Sequence, residues 1–115
     1  MIHLYGIANC DTVKKARQWL EAQGLAYTFH DFKKAPPDLA QCQSWVQALG
    51  VDTLVNRRGT TWRQLTAEQQ ATADSSNGAA ALTHAQPSLI KRPLVQWPNG
   101  AWTVGFKADD WAQRC

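Results

Sequence analysis

The sequence predicts an α/β fold in which a helical insert divides the two halves of a four-stranded mixed sheet. Residues 2–31 follow a strand-helix-strand pattern, and residues 93–105 form two apolar runs around a turn. Between these halves, residues 38–85 carry helical apolar patterns and capping signals. Two parallel strands from one half and an antiparallel hairpin from the other therefore combine into one mixed sheet.

The first half is predicted to be a βαβ unit. Residues 2–7 are an apolar strand, and residues 12–23 form a helix that ends at Gly24. Apolar and polar residues alternate over residues 25–31, which predicts a second strand. Because a helix connects them, the two strands should be parallel.

The insert is predicted from its helix caps. Asp38, with Gln41 three residues later, predicts a helix that runs to Leu49. Thr66 with Gln69 gives the same signal for a short helix.

The rest of the insert is less regular. Residues 51–65 show no clear helical or strand periodicity, and Asn56–Arg63 within them is expected to be a polar, basic loop. A further short helix is expected over residues 79–84.

The last half is predicted to be a hairpin followed by a helix. Residues 93–97 and 101–105 flank Pro98-Asn99-Gly100, and residues 107–114 form the final helix. This order of elements is that of a thioredoxin-like fold with a helical insert between its halves.

Composition favours one small globular domain over residues 1–115. The chain has 115 residues, 44% of them apolar, which is enough to bury a core without metals or disulfides. A net charge of +3 is too low and too dispersed for a nucleic-acid surface. No run predicts a signal peptide or a membrane span, so we expect a cytoplasmic protein, and we expect a monomer.

The three cysteines are expected to differ in role. Their odd number and irregular spacing predict no disulfide framework. Cys42 lies in the apolar stripe of a predicted helix and is expected in the core, whereas Cys115 is terminal and expected to be mobile. His3, His30 and His84 have no metal-ligand spacing, so we expect structural or surface roles for them and no metal site.

Cys10 is the candidate nucleophile because it lies where a strand gives way to a helix. Unpaired N–H groups at a helix start favour a thiolate, although the helix end alone contributes roughly 0.3–1 kcal/mol. Cations must therefore help, and Lys14 and Lys15 are the nearest in sequence. The adjacent carboxylate of Asp11 opposes the thiolate. The alternative interpretation is that Cys10 is a small buried apolar residue.

Loop arginines are the candidate anion-binding groups, because a guanidinium fork matches carboxylates and oxyanions. The candidates are Arg57, Arg58, Arg63, Lys91 and Arg92. Arg92 stands out because Pro93 follows it, and a cis-proline before a strand beside a reactive cysteine recurs in thioredoxin-like folds. We therefore predict a cis Arg92-Pro93 bond close to Cys10.

Three stretches resemble the arsenate reductase (ArsC) family, in particular its small YffB-like proteins, which are related to the Spx regulators. They are Leu4–Ala16, Asn56–Arg63 and Ile90–Leu94. The resemblance implies a nucleophilic Cys10, an anion-binding Arg58 with Arg57 as the alternative, and a second arginine, Arg92. In glutathione-coupled arsenate reductases, such groups hold arsenate for attack by the thiolate. Glutathione then releases arsenite, and glutaredoxin resolves the mixed disulfide.

The chain departs from this pattern at the site. Gly6 and Ile7 stand where those reductases have His and Asn, and Phe106 replaces a third arginine. Losing one arginine would remove a charged hydrogen bond worth about 1.5–3 kcal/mol. Spx proteins often carry Cys-x-x-Cys, but here Val13 occupies the second cysteine position, which excludes a dithiol switch in this motif.

We therefore expect a glutathione-dependent thiol reductase, similar to arsenate reductases, with glutathione as co-substrate and no bound cofactor. Arg92 and Arg58 are expected to bind the glutathione carboxylates, with backbone contacts at Pro93. Two alternatives stay open: a true arsenate reductase coupled to glutathione and glutaredoxin, and an Spx-like protein that binds RNA polymerase. An inactive relative that keeps the fold is a third.

Overall fold

The computed structural model describes residues 1–115 and contains four strands, seven helices and one 3-10 turn. The strands are β1 (Ile2–Gly6), β2 (Tyr27–Asp31), β3 (Leu94–Gln96) and β4 (Trp102–Val104). The helices are α1 (Asp11–Ala22), α2 (Leu39–Leu49), α3 (Val51–Leu54), α4 (Thr60–Gln64), α5 (Ala67–Thr72), α6 (Ser76–Ala85) and α7 (Ala108–Arg114). The 3-10 turn spans Pro87–Leu89.

The chain divides into two compact units. The sheet unit comprises Met1–Ala35 and Arg92–Cys115, and the helical unit comprises Pro36–Lys91. All four strands belong to the sheet unit, together with α1 and α7. The helical unit contains the other five helices and extends a few residues beyond the expected insert at 38–85.

The sheet has the strand order β2-β1-β3-β4. Strands β1 and β2 are parallel, whereas β3 is antiparallel to both β1 and β4. The predicted mixed sheet and thioredoxin-like fold are therefore confirmed. The hairpin between β3 and β4 turns at Gly100, whose N–H donates to the Trp97 carbonyl at 2.8 Å.

One face of the sheet packs against α1 and α7 to form the core of the sheet unit. The buried residues of this core are Ile2, Leu4, Val13, Ala16, Leu20, Val95, Trp97 and Trp111. The indole of Trp111 lies edge-on to Trp97, with ring centroids 5.0 Å apart. Because aromatic side chains bury large areas, this cluster anchors α7 to the sheet.

The other face of β1 carries a histidine pair. Nδ1 of His3 and Nε2 of His30 are 2.9 Å apart, and the His30 ring stacks on Tyr5 with centroids 4.3 Å apart. Desolvation lowers the pKa of His30, and the neighbouring His3 lowers it further. The third histidine, His84, places Nδ1 3.0 Å from the Pro37 carbonyl oxygen in the helical unit. All three histidines thus have structural contacts.

Caps set the helix starts in the helical unit. The Asp38 side chain accepts from the Gln41 N–H at 2.8 Å, and the Gln41 side chain accepts from the Asp38 N–H at 3.0 Å. Thr66 and Gln69 form the same reciprocal box before α5. Each cap is worth about 1 kcal/mol because it satisfies N–H groups that the helix cannot. The capping signals read from the sequence are therefore confirmed.

Helices α2 and α6 pack together in the helical unit. Cys42, Trp45 and Val46 of α2 are buried, and α6 buries Ala79 and Thr83. The small residues of α6 allow a close approach of the two helices, and the Thr83 hydroxyl is satisfied by the Ala79 carbonyl at 2.9 Å. The prediction that Cys42 is a core residue is confirmed, since it is fully buried.

The predicted loop over Asn56–Arg63 is correct only in its first half. Residues 56–59 lie outside the helices, whereas α4 begins at Thr60 and α3 precedes the loop. Gly50, at φ +82°, ends α2 and starts α3 after a sharp change of direction. Helices of four or five residues are too short to display a 3.6-residue period, which is why the pattern does not reveal them.

A glycine holds α1 close to β1. A Cβ atom added at Gly6 would lie 2.9 Å from Cγ2 of Val13, which is fully buried. We predict that Gly6→Ala destabilises the protein by about 1–3 kcal/mol through overpacking. Urea denaturation measures this change. In a Val13→Ala background, the same substitution should cost much less because the obstructing methyl groups are gone. Equal costs in the two backgrounds would contradict the contact.

Candidate active site at the start of helix α1

Cys10 is the N-cap residue of α1. Its backbone is extended, at φ −130° and ψ 126°, and its carbonyl accepts from the Lys14 N–H at 2.9 Å. The side chain makes no capping hydrogen bond. A Ser or Asp at this position would normally use its side chain to satisfy the N–H groups of the first turn. The helix start therefore keeps its positive character and its free donors next to the Cys10 thiol.

The segment before Cys10 is held at its start. The Gly6 carbonyl accepts from the Phe32 N–H at 2.8 Å, and Ile7 is buried. Ala8 and Asn9 are exposed, whereas Cys10 is half-buried and packs against the edge of the core. The thiol is thus neither a core residue nor a fully solvated one. The interpretation of Cys10 as a buried apolar residue is not supported by this placement.

The charges nearest in sequence to Cys10 have mixed signs. Lys14 lies one helical turn after Cys10, and Lys15 follows it; both are exposed and have no acidic partner. Asp11, in the first turn, is exposed and opposes a negative charge on the sulfur. The free lysines can therefore offset the adjacent carboxylate.

The Arg92-Pro93 peptide bond is cis, as predicted. Because Leu94 pairs with Tyr5, Pro93 lies beside the end of β1 that leads towards Cys10. Arg92 is half-buried and forms no ion pair or side-chain hydrogen bond. A half-buried guanidinium without a partner is costly, and an anionic ligand would satisfy it.

The backbone at Pro93 is already used. Its carbonyl accepts from the Gly105 N–H at 2.9 Å, and proline has no N–H to donate. The backbone groups of Arg92 have no such partner. We predicted that the backbone of Pro93 contacts the substrate. The backbone groups of Arg92 are freer than those of Pro93 to make such a contact.

Phe106 is integrated into the aromatic core. Its ring lies edge-on to Trp111, with centroids 4.8 Å apart, and 6.3 Å from the centroid of Trp19. The residue that replaces the expected third arginine is thus held by packing. An arginine at this position would need to leave that cluster to present its charge.

Arg57 and Arg58 belong to the helical unit and differ in their partners. Arg57 pairs with Asp52 and stacks over Trp62, with its guanidinium carbon 5.6 Å from the ring centroid. Arg58 is exposed, its N–H donates to Asn56 Oδ1 at 3.0 Å, and its guanidinium has no partner. Of the two, Arg58 is the one free to bind an anion. The assignment of either residue to the Cys10 site stays a prediction.

The remaining candidate cations are less suited to a site. Lys91 donates from Nζ to the Asp52 carbonyl at 3.2 Å, and Arg63 is exposed on α4. Sequence reasoning missed Arg17, which lines a cavity of the sheet unit together with residues of β2. Arg17 follows Cys10 by seven residues, about two helical turns, so both residues lie on the same side of α1. The sequence does not reveal that the Arg17 guanidinium stacks on an aromatic ring of β2.

No cluster of three or more His, Cys, Asp or Glu side chains could hold a metal ion. None of the helices has the length and apolar character needed to cross a membrane.

Comparison with known proteins identifies relatives along nearly the whole chain. The sequence model of the ArsC family matches residues 5–114. A solved structure named YFFB protein is 43% identical, with a TM-score of 0.92 over 99% of this chain and 98% of that one. The solution structure of an arsenate reductase (ArsC) related protein from Brucella melitensis is 41% identical, with a TM-score of 0.77 over 97% and 92%.

Curated proteins include relatives with and without an assigned role. An uncharacterized protein of Haemophilus influenzae is 37% identical over 96% of both chains. Global transcriptional regulator Spx 2 of Oceanobacillus iheyensis is 25% identical over 95% of this chain and 79% of its own.

We predict that iodoacetamide at pH 7 alkylates Cys10 faster than Cys115, and Cys115 faster than Cys42. Burial raises the pKa of Cys42, and desolvation raises the pKa of Cys115, so both thiols carry less thiolate at neutral pH. Peptide mass spectrometry of time points gives the three rates.

Two variants test how the neighbouring charges affect the alkylation rate of Cys10. Asp11→Asn should accelerate alkylation of Cys10 by removing a neighbouring negative charge, and Lys14→Gln should slow it. If Cys10 reacts no faster than Cys115, Cys10 is not an activated nucleophile.

Proposed function

The chain belongs to the ArsC family, and on this basis we propose that it is a glutathione-dependent thiol oxidoreductase whose nucleophile is Cys10. The observation that carries the proposal is the Cys10 thiol at the N-cap of α1, with no hydrogen bond that would consume the helix-start donors. Such a position favours the thiolate, which is the reactive form. We place the activity in the cytoplasm, where thiols stay reduced, and expect a monomer.

The proposed reaction needs a single cysteine. The Cys10 thiolate attacks the glutathione sulfur of a mixed disulfide, the bond between glutathione and the second thiol breaks, and that thiol leaves as a thiolate. A glutathione thiolate then attacks the Cys10–glutathione disulfide. It releases Cys10 as a thiolate and forms glutathione disulfide, so the two electrons come from glutathione. No second cysteine is required, which agrees with Val13 at the fourth position of the motif.

Arg92 is the proposed anchor for a glutathione carboxylate. It is half-buried, it lacks an acidic partner, and it precedes the cis-proline beside the end of β1. Arg58 is the second proposed arginine, because the family resemblance points to it and because its guanidinium has no partner. A carboxylate needs a planar pair of donors, and arginine provides one.

Arsenate is a poorer substrate in this proposal. Phe106 packs into the aromatic core where arsenate reductases have a third arginine, and Gly6 stands in place of their histidine. Loss of one charged hydrogen bond weakens binding of a tetrahedral oxyanion by about 1.5–3 kcal/mol. The alternative with the same thiol chemistry is the reduction of arsenate, in which glutathione releases arsenite and glutaredoxin resolves the mixed disulfide. A relative described as arsenate reductase related supports this alternative.

A regulatory role is the second candidate. A relative that spans nearly the whole chain is named a global transcriptional regulator, Spx 2. The corresponding proposal is an Spx-like protein that binds RNA polymerase. A pull-down with purified RNA polymerase separates the two classes, because specific retention without thiol turnover would support regulation and contradict the enzyme.

We predict that Arg92→Ala weakens glutathione binding about ten- to hundredfold, the equivalent of one lost charged hydrogen bond. Cys10→Ser should abolish turnover and leave the thermal unfolding midpoint unchanged, because the hydroxyl is similar in size but hardly ionised. Calorimetry with glutathione and a coupled assay on glutathione mixed disulfides measure the two effects. Arg114→Ala, a surface arginine paired with Asp110, is the control and should bind glutathione normally.

Robust arsenate turnover by the wild-type protein, with no measurable affinity for glutathione, would contradict the proposal. That result would instead support an arsenate reductase that has replaced its third arginine.

A further inference from the structure

The sheet unit contains a cavity of about 400 Å³ at the α1 side of the edge strand β2. Arg17, Phe29, Asp31 and Lys34 line it, with Ala8, His30 and Ala35. His30 already has partners, since its Nε2 lies 2.9 Å from His3 Nδ1 and its ring stacks on Tyr5. Its volume falls within the roughly 300–1,000 Å³ typical of small-molecule sites.

Arg17 is held in a fixed orientation at this cavity. Its guanidinium carbon lies 4.1 Å from the centroid of Phe29, and Nε donates to the Tyr27 hydroxyl at 3.0 Å. The Tyr27 hydroxyl in turn donates to Glu21 at 2.8 Å. The two terminal amino groups of Arg17 have no partner. The stack and the Nε bond thus position a pair of donors that the protein itself does not use.

Two further charges of opposite sign line the same cavity. Lys34 has no acidic partner. Asp31 accepts the Lys33 N–H at Oδ1, at 2.9 Å, and its second carboxylate oxygen has no partner. A simple anion would be attracted by the two cations and repelled by Asp31, whereas an apolar ligand would leave all three groups unsatisfied.

We propose that this cavity binds the free α-amino acid group of a small metabolite. The ligand carboxylate accepts from the terminal amino groups of Arg17 and pairs with Lys34, and the ligand ammonium donates to the free oxygen of Asp31. This arrangement uses every unpartnered charge of the cavity and leaves none in repulsion. The inference does not rest on the proposed thiol chemistry, since Cys10 does not line the cavity.

Three related probes test the proposal on the intact protein: L-glutamate, glutarate and 4-aminobutyrate. Glutarate lacks the ammonium group, and 4-aminobutyrate lacks the α-carboxylate. In NMR titrations, L-glutamate should shift the amide signals of Ala8, Asp31 and Ala35, and each analogue should bind at least tenfold more weakly. Shifts confined to other regions, equal binding of glutarate, or no binding of L-glutamate at millimolar concentration would each overturn the proposal.

Two conservative variants test the separate roles of Arg17 and Asp31 in binding. Arg17→Lys keeps the positive charge but removes the planar fork, and Asp31→Asn keeps an acceptor for the Lys33 N–H but removes the negative charge. Each should weaken L-glutamate binding at least tenfold with an unchanged unfolding midpoint. If both bind normally, the cavity is not the site.

Two control variants complete the test. Arg114→Ala should bind L-glutamate as the wild-type protein does. Cys10→Ser should also bind it normally, so that a failure of the thiol chemistry and a failure of this inference give different results. Loss of binding in Cys10→Ser would overturn the separation of the two sites.

Discussion

The close packing of α1 on the end of β1 is the constraint on which the rest of the site depends. Gly6 permits it, because a side chain there would meet the buried Val13. The short connection that follows leaves Cys10 as the residue at the helix start. The reactivity proposed for Cys10 therefore depends on backbone geometry, since the helix end and nearby lysines act only over a short range. The same packing fixes α1 above the sheet and so orients Arg17.

In the proposed function, the thiol takes a peptide-like ligand in preference to an oxyanion. Arg92 is half-buried and has no ion pair, so it is free to pair with an anionic group of the proposed ligand. Phe106 is packed between aromatic rings and contributes no charge. A tetrahedral oxyanion concentrates its charge and needs several donors at one point. Glutathione separates its carboxylates along a flexible chain and can be held by single, spaced arginines.

The sequence predicts the parts of this protein that depend on local chemistry. The caps at Asp38 and Thr66 gave the starts of α2 and α5, and the parallel and antiparallel pairs followed from the connections. Helices α3 and α4 were not predictable, because one turn carries no period. The partners of Arg57 and the stack of Arg17 on Phe29 depend on distant residues, so only the structure distinguishes Arg57 from Arg58 and identifies the cavity.

The most direct test of Cys10 as the nucleophile is its reaction with glutathione disulfide. The protein is incubated with the disulfide, and intact mass and peptide mass spectrometry locate the bound glutathione. We predict one glutathione per chain, attached to Cys10 and removed again by an excess of reduced glutathione. Modification at Cys115 in preference to Cys10, or no mixed disulfide at Cys10, would contradict it.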